Sequence, residues 1–182
     1  MQDKDRGVVD QFIDFLTSRE INTPLYHFTD QRNLASIREH GLISKAWARQ
    51  NGIKIPRYSG DEVGHLADWN KGLEDFVPLS FSSEHPMEHA ARMAGRIEKS
   101  AFLQVKPAIL REEGVKMTLD IANKPDVPLL DPGEALAQVD FDVLYAKRDR
   151  RDPAIQERLL AARRCTILVP SRVPLTMIIG GL

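Results

Sequence analysis

The chain has 182 residues and a formal net charge of −1, with 42% hydrophobic and 28% charged residues. That length suits one domain, residues 1–182, with a full-sized core, and would cramp a second. The composition excludes a disordered chain, no apolar run approaches the roughly 20 residues that span a bilayer, and no global charge steers the protein to nucleic acid.

The single cysteine, Cys165, excludes an intrachain disulfide framework and a cysteine-rich zinc site. A reducing cytoplasm is the compartment this predicts, and the charged start, residues 1–6, is expected to be no signal peptide.

In chain order, Val8, Val9, Phe12, Ile13 and Leu16 fall at helical spacing and predict a packing helix over 6–18. Ile21-Asn22-Thr23-Pro24 breaks it. A short apolar strand, Leu25 to Asp30, then delivers His27 and Thr29 to the start of a helix. Thr29 or Asp30 supplies the N-cap oxygen, Leu34 and Ile37 mark the buried stripe, and Gly41-Leu42 closes the helix. Ring N–H, hydroxyl and backbone donors gathered on one patch suit a ribose and an anionic phosphate. A lone histidine in a strand is more often structural, so the residues downstream must decide.

From Ser44 to Asp75 the sequence is polar and glycine-dotted and reads mostly as loop, with a helical turn at most around Trp47 or Leu66. Loops of this length in a domain are usually functional. Phe76 to Phe81 predicts a strand, with Pro78 marking an edge or a bulge. A helix follows to about Glu98, its inward face formed by Met87, Ala90, Ala91, Ala94 and Ile97. Strands are predicted over 101–105 and 114–120, a loop over 123–134, and a cleanly alternating strand over 139–145. A charged turn at 147–153, a helix to about Ala162 and strands over 165–170 and 175–179 complete the chain. Helices and strands mingle without a βαβ rhythm or an internal repeat, which predicts an α+β fold with mixed sheets.

No phosphate-binding glycine loop, HExxH or GxSxG is present. His85 and His89 stand four apart, but with no third ligand they read as surface residues and no metal is expected. Lys147, Arg148, Arg150, Arg151, Arg163 and Arg164 gather positive charge, partly offset by Asp149 and Asp152. They form either a solvated turn or an edge that tracks the backbone of a single strand.

Three blocks carry a family resemblance. Leu25-Tyr26-His27-Phe28-Thr29 with Asn33-Leu34 and Ile37 to Leu42 is the first; Leu73 to Phe81 with His85-Pro86-Met87 is the second; Ile167-Leu168-Val169-Pro170 with Val173-Pro174 is the third. Together, and in this order, they resemble the DarT family of DNA ADP-ribosyltransferase toxins from toxin–antitoxin systems.

The resemblance implies a small ADP-ribosyltransferase fold, with two curved mixed β-sheets around an NAD cleft and flanking helices. It implies NAD as substrate, single-stranded DNA as acceptor through thymine or guanine, and an antitoxin with macrodomain-like or related ADP-ribosyl-hydrolase activity. Under it His27 holds the nicotinamide-side ribose, with Phe28, Thr29, Asn33 and Leu34 around the dinucleotide. Arg57 clamps phosphates, with Arg49 the other candidate; Phe81 lies near the nicotinamide; and Arg148, Arg150, Arg151, Arg163 and Arg164 face the nucleic acid.

The family's catalytic glutamate stands two residues before its Leu-Val pair, and here that position is Thr166. A threonine cannot act as general base. Three readings stay open: an engineered knock-out, favoured because active toxins burden an expression host; a natural pseudoenzyme; or a carboxylate supplied from elsewhere. A transferase acting on RNA or protein, and a non-catalytic NAD- or single-strand-binding module, are the rival functions.

Overall fold

The computed structural model describes residues 3–18, 23–57 and 62–182. Helix α1 (Asp3–Thr17) buries Val9, Phe12, Ile13 and Leu16, as its spacing predicts. Ile21 and Asn22 of the predicted break lie outside the described residues; past them, the Thr23 amide donates to Leu16 O at 3.1 Å.

Strand β1 (Leu25–Asp30) ends on Asp30, whose carboxylate accepts from Arg32 N and so caps a short 3₁₀ turn. The turn feeds α2 (Leu34–His40), which stops at Gly41 with φ +78°. A Cβ there would stand 2.4 Å from Val173 O, so only glycine lets the helix end this close to the neighbouring strand.

Strand β2 (Leu42–Ile43) leads into α3 (Lys45–Gln50) and then α4 (Glu62–Asn70). The stretch expected to be mostly loop therefore holds two helices. Ser44 Oγ caps α3 by accepting from Trp47 N at 3.1 Å. Gly52 and Gly72, which suggested loop by composition, both have positive φ just past the helix ends.

Strand β3 (Phe76–Leu79) is an edge strand, as Pro78 predicts. Helix α5 (Pro86–Met93) is shorter than expected, because Gly95 turns the chain at φ +68°. Ala91 and Ile97 are buried, but Ala90 and Ala94 face solvent. After β4 (Ser100–Val105) and β5 (Lys116–Thr118) come α6 (Pro132–Leu136) and α7 (Phe141–Tyr145).

The strand expected over 139–145 is thus a helix. Asp140 caps it by accepting from Val143 N at 3.2 Å, and Phe141 stacks parallel on Tyr145 at 5.9 Å. Over so few residues an i, i+2 and an i, i+4 pattern overlap, and the cap decides. Helix α8 (Pro153–Arg164), β6 (Thr166–Pro170), β7 (Arg172–Val173) and β8 (Ile178–Gly180) finish the chain. Leu175–Met177 forms a 3₁₀ turn, so the last predicted strand begins three residues later than expected.

The α+β class holds. In detail there are two three-stranded sheets, ordered β1-β4-β8 and β3-β6-β5, plus the β2-β7 ribbon. Every described pairing is antiparallel, where mixed sheets were expected. The two larger sheets meet at a seam, where Tyr26 N donates to Ser80 O at 2.9 Å and Ser80 N to Tyr26 O at 2.8 Å. The core below them joins α1 to both sheets and includes an aromatic cluster of Phe12, Phe81 and Phe141.

Candidate active site

A cavity of about 280 Å³ opens beside the seam, lined from one sheet by His27, Phe28 and Thr29 and from the other by Thr166 and Leu168. Asn33, Arg57 and His85 line it as well. The imidazole at the first strand and the side chain at 166 therefore share one cleft.

His27 Nδ1 lies 2.8 Å from Pro78 O. A carbonyl only accepts, so Nδ1 carries the proton and Nε2 is left as an acceptor, suited to a ribose hydroxyl. Burial lowers the His27 pKa below the ordinary imidazole value, keeping the ring neutral. Thr29 and Asn33 are buried together, and Asn33 Nδ2 donates to Thr29 Oγ1 at 2.9 Å. The same amide group donates to Arg57 O at 2.8 Å, while Asn33 Oδ1 accepts from Arg57 N at 2.9 Å. One buried side chain thus fixes the backbone of Arg57 on both sides.

The Arg57 guanidinium donates from Nε to Arg96 O at 2.7 Å and from Nη2 to Gly95 O at 3.3 Å. Among the described residues these are its two partners, and both are neutral carbonyls, which leaves the positive charge without a carboxylate partner among them. Arg49, the other candidate clamp, is not on the cavity wall; it pairs with Glu74 at 3.0 Å and lies 5.4 Å over the Trp69 ring.

Thr166 starts β6, is 7% exposed, and stands in register opposite Thr118. Its hydroxyl donates to Arg164 O at 3.2 Å. Among the described residues the cavity wall carries two carboxylates, Asp30 and Asp68, and each is held in an ion pair, with Arg32 and Lys45 respectively, both at 2.7 Å. Asp30 also accepts from the backbone amides of Arg32 and Glu98, and the Arg32 guanidinium holds it far below the usual carboxylate range. Neither carboxylate is therefore without a cationic partner. Burial pushes the Cys165 thiol up to about 11, so the neighbour of Thr166 offers no thiolate at neutral pH.

Two expected members lie elsewhere. Phe81 is 2% exposed and packs edge-on against Phe12 and Phe141, away from the cavity wall. It follows the end of β3, so strand alternation does not aim it at the cleft. Leu34 packs against the core instead of the cavity.

The predicted basic edge is largely neutralised. Arg148 pairs with Asp142, Arg150 with Glu84 at 3.8 Å, Arg151 with Asp149 at 3.4 Å, and Arg163 with Glu84. The Nε atoms of Arg163 and Arg164 are buried without a hydrogen-bond partner among the described residues. None of the five lines the cavity.

His85, read as a surface residue, belongs to the site. It caps α5, its Nδ1 accepting from Met87 N at 3.2 Å, so its proton sits on Nε2. Phe28 lies between the two imidazoles, with ring centroids 6.4 Å from His27 and 5.8 Å from His85. The cavity wall therefore carries one histidine of each neutral tautomer. The sequence signal was the His-Pro pair, which marks a helix start as well as it marks surface.

Burial lowers the His85 pKa from 6.5 to about 4. The unfolded chain takes that proton first as pH falls, so this contribution to stability is complete above about pH 6.5 and shrinks toward pH 4. His27 shifts in the same direction for the same reason. Asparagine can cap without titrating. We expect His85→Asn to lose less melting temperature than the native chain between about pH 7 and pH 4.5, measured by circular dichroism.

The family model described as "ssDNA thymidine ADP-ribosyltransferase, DarT" matches residues 26–180, and the chain belongs to the DarT family. Its fold is similar to that of Thermus sp. 2.9 DarT in complex with ADP-ribosylated ssDNA, at 21% identity and TM-score 0.61, over 86% of this chain and 78% of that one. Thermosipho africanus DarTG in complex with ADP-ribose matches at 20% identity and TM-score 0.64, over 85% of this chain and 42% of that one. Thermus sp. 2.9 DarT in complex with NAD+ matches at 20% identity and TM-score 0.56, over 86% and 79%. No curated protein matches the chain.

Proposed function

We propose that this single-domain chain binds NAD in the seam cleft and is built to transfer ADP-ribose to thymidine in single-stranded DNA, with turnover suppressed by Thr166. The observation that carries the reading is the one cavity shared by His27, Arg57 and Thr166. His27 Nε2 accepts from the nicotinamide-side ribose, and the Arg57 guanidinium binds the diphosphate. Phe28, Thr29 and Asn33 complete the dinucleotide seat.

Breaking the nicotinamide–ribose bond develops positive charge on the sugar, which a carboxylate at position 166 would stabilise while taking the proton from the attacking base nitrogen. The hydroxyl of Thr166 does neither at neutral pH. Thymidine as acceptor is supported by the description of the matching family model. The wider reading is a cytoplasmic toxin, countered by an antitoxin that removes ADP-ribose; the similarity to a DarTG structure supports the pairing.

Labelled NAD offered to the Thr166→Glu chain with separate pools of single-stranded DNA, RNA and protein tests this. Label is expected on thymidine-containing DNA, identified by mass spectrometry. Label on RNA or protein alone would replace the acceptor. NAD binding without any transfer would leave a binding module.

A further inference from the structure

Lys71 directly follows α4, and its Nζ lies 2.6 Å from Ala122 O, 2.6 Å from Lys124 O and 2.8 Å from Val127 O. One short loop thus accepts all three N–H donors of a single ammonium. Within that loop the amides of Lys124 and Val127 make turn bonds to Ile121 O and Lys124 O. Converging carbonyl dipoles repel one another unless a cation sits among them, so the loop's shape depends on the lysine.

Both ends of this tether reach the cleft. Gly64 and Asp68 of α4 line the cavity, as do Ile121, Ala122 and Asn123 of the loop. Neither α4 nor residues 121–127 takes part in a described strand pairing. On its other side α4 is held by Lys45 Nζ, 2.7 Å from Asp68 Oδ2. Two lysines therefore do for this end of the cleft what strand pairing does at the seam.

We propose that Lys71 is a positioning residue, clasping α4 to residues 121–127 so that two walls of the cleft are held at the separation NAD requires. The inference rests on the NAD reading above. It assigns Lys71 no contact with the dinucleotide; the residue acts through the walls it joins.

In the full chain, Lys71→Ala is expected to raise the NAD dissociation constant about tenfold, the worth of one charge-assisted hydrogen bond supplied at binding instead of beforehand. Amide exchange over 121–127 should quicken in the ligand-free variant. Propylammonium chloride, which replaces the missing stem and charge, should restore both, and sodium chloride at equal strength should not. Lys71→Arg keeps the charge, but its planar fork does not point three donors at one converging set of carbonyls, so it should behave like the alanine variant; it serves where Lys71→Ala does not fold. Unchanged affinity and exchange in the folded variant, or rescue by sodium equal to that by propylammonium, would overturn the clasp. A native chain that binds no NAD overturns the NAD reading, and the exchange measurement then judges the clasp alone.

Discussion

Thr166→Glu is expected to raise ADP-ribose transfer to a thymidine-containing oligonucleotide by about 10²–10⁴-fold. On the reading proposed above, the effect is one of charge. The sugar gains positive charge as nicotinamide leaves, and the attacking base nitrogen must lose a proton that no free carboxylate among the described residues can take. Asp30 and Asp68 line the cavity but are tied to Arg32 and Lys45. Thr166 sits at the head of β6, 7% exposed, so a glutamate there enters the cleft at an already anchored backbone position. Thr166→Gln is the control: it has nearly the same shape as glutamate without charge or basicity, and should gain nothing. Equal activity for the two variants, read by single-turnover mass spectrometry, would sink the general-base account.

Removing the amide at position 33 should have the next largest effect. Asn33 is 6% exposed and bonds Thr29 Oγ1, Arg57 O and Arg57 N. Asn33→Ala leaves those polar groups without their partner, at a cost of about 2–3 kcal/mol of stability. It also frees the backbone that aims the Arg57 guanidinium. On the reading that Arg57 binds the diphosphate, NAD affinity should fall by up to about 100-fold, the upper end of what a hydrogen bond to a charged group contributes. Thr29→Val removes only one of the three contacts and should lose far less affinity. Calorimetry on folded protein, with melting curves alongside, separates the two effects. Asn33→Ala with native NAD affinity would show that Arg57 needs no such support.

The site was legible where its parts are close in sequence. His27 and Thr29 fall within one strand, so a local reading finds them together, and Asn33, in the turn just after it, entered through the family resemblance. Arg57 was separable from Arg49 only by three-dimensional contacts, because nothing local tells which loop arginine reaches the asparagine. His85 was missed since its two roles, capping α5 and facing the cavity, depend on a sheet elsewhere in the chain. Phe81 was misplaced because it lies beyond β3, where the pleat no longer dictates which side a ring takes. The helix at Phe141–Tyr145 was read as a strand because a short window fits either period, and one cap on Asp140 settles which forms. The pairing of the basic edge was hidden for another reason: its charges were counted along the chain, while Glu84, which meets Arg150 and Arg163, comes from a distant segment.

The reciprocal Tyr26–Ser80 bonds and the His27–Pro78 bond stitch the two larger sheets together right beside the cavity. Prising those sheets apart would cost a histidine its tautomer as well as two backbone contacts, so that border of the site is stiff. The opposite border is built differently: there α4 is tied by side-chain ammonium groups, through Lys45 to Asp68 and through Lys71 to the carbonyls of residues 122–127. One border of the cleft thus rests on backbone pairing and the other on two lysines, so raised ionic strength should loosen the helical border before the sheets.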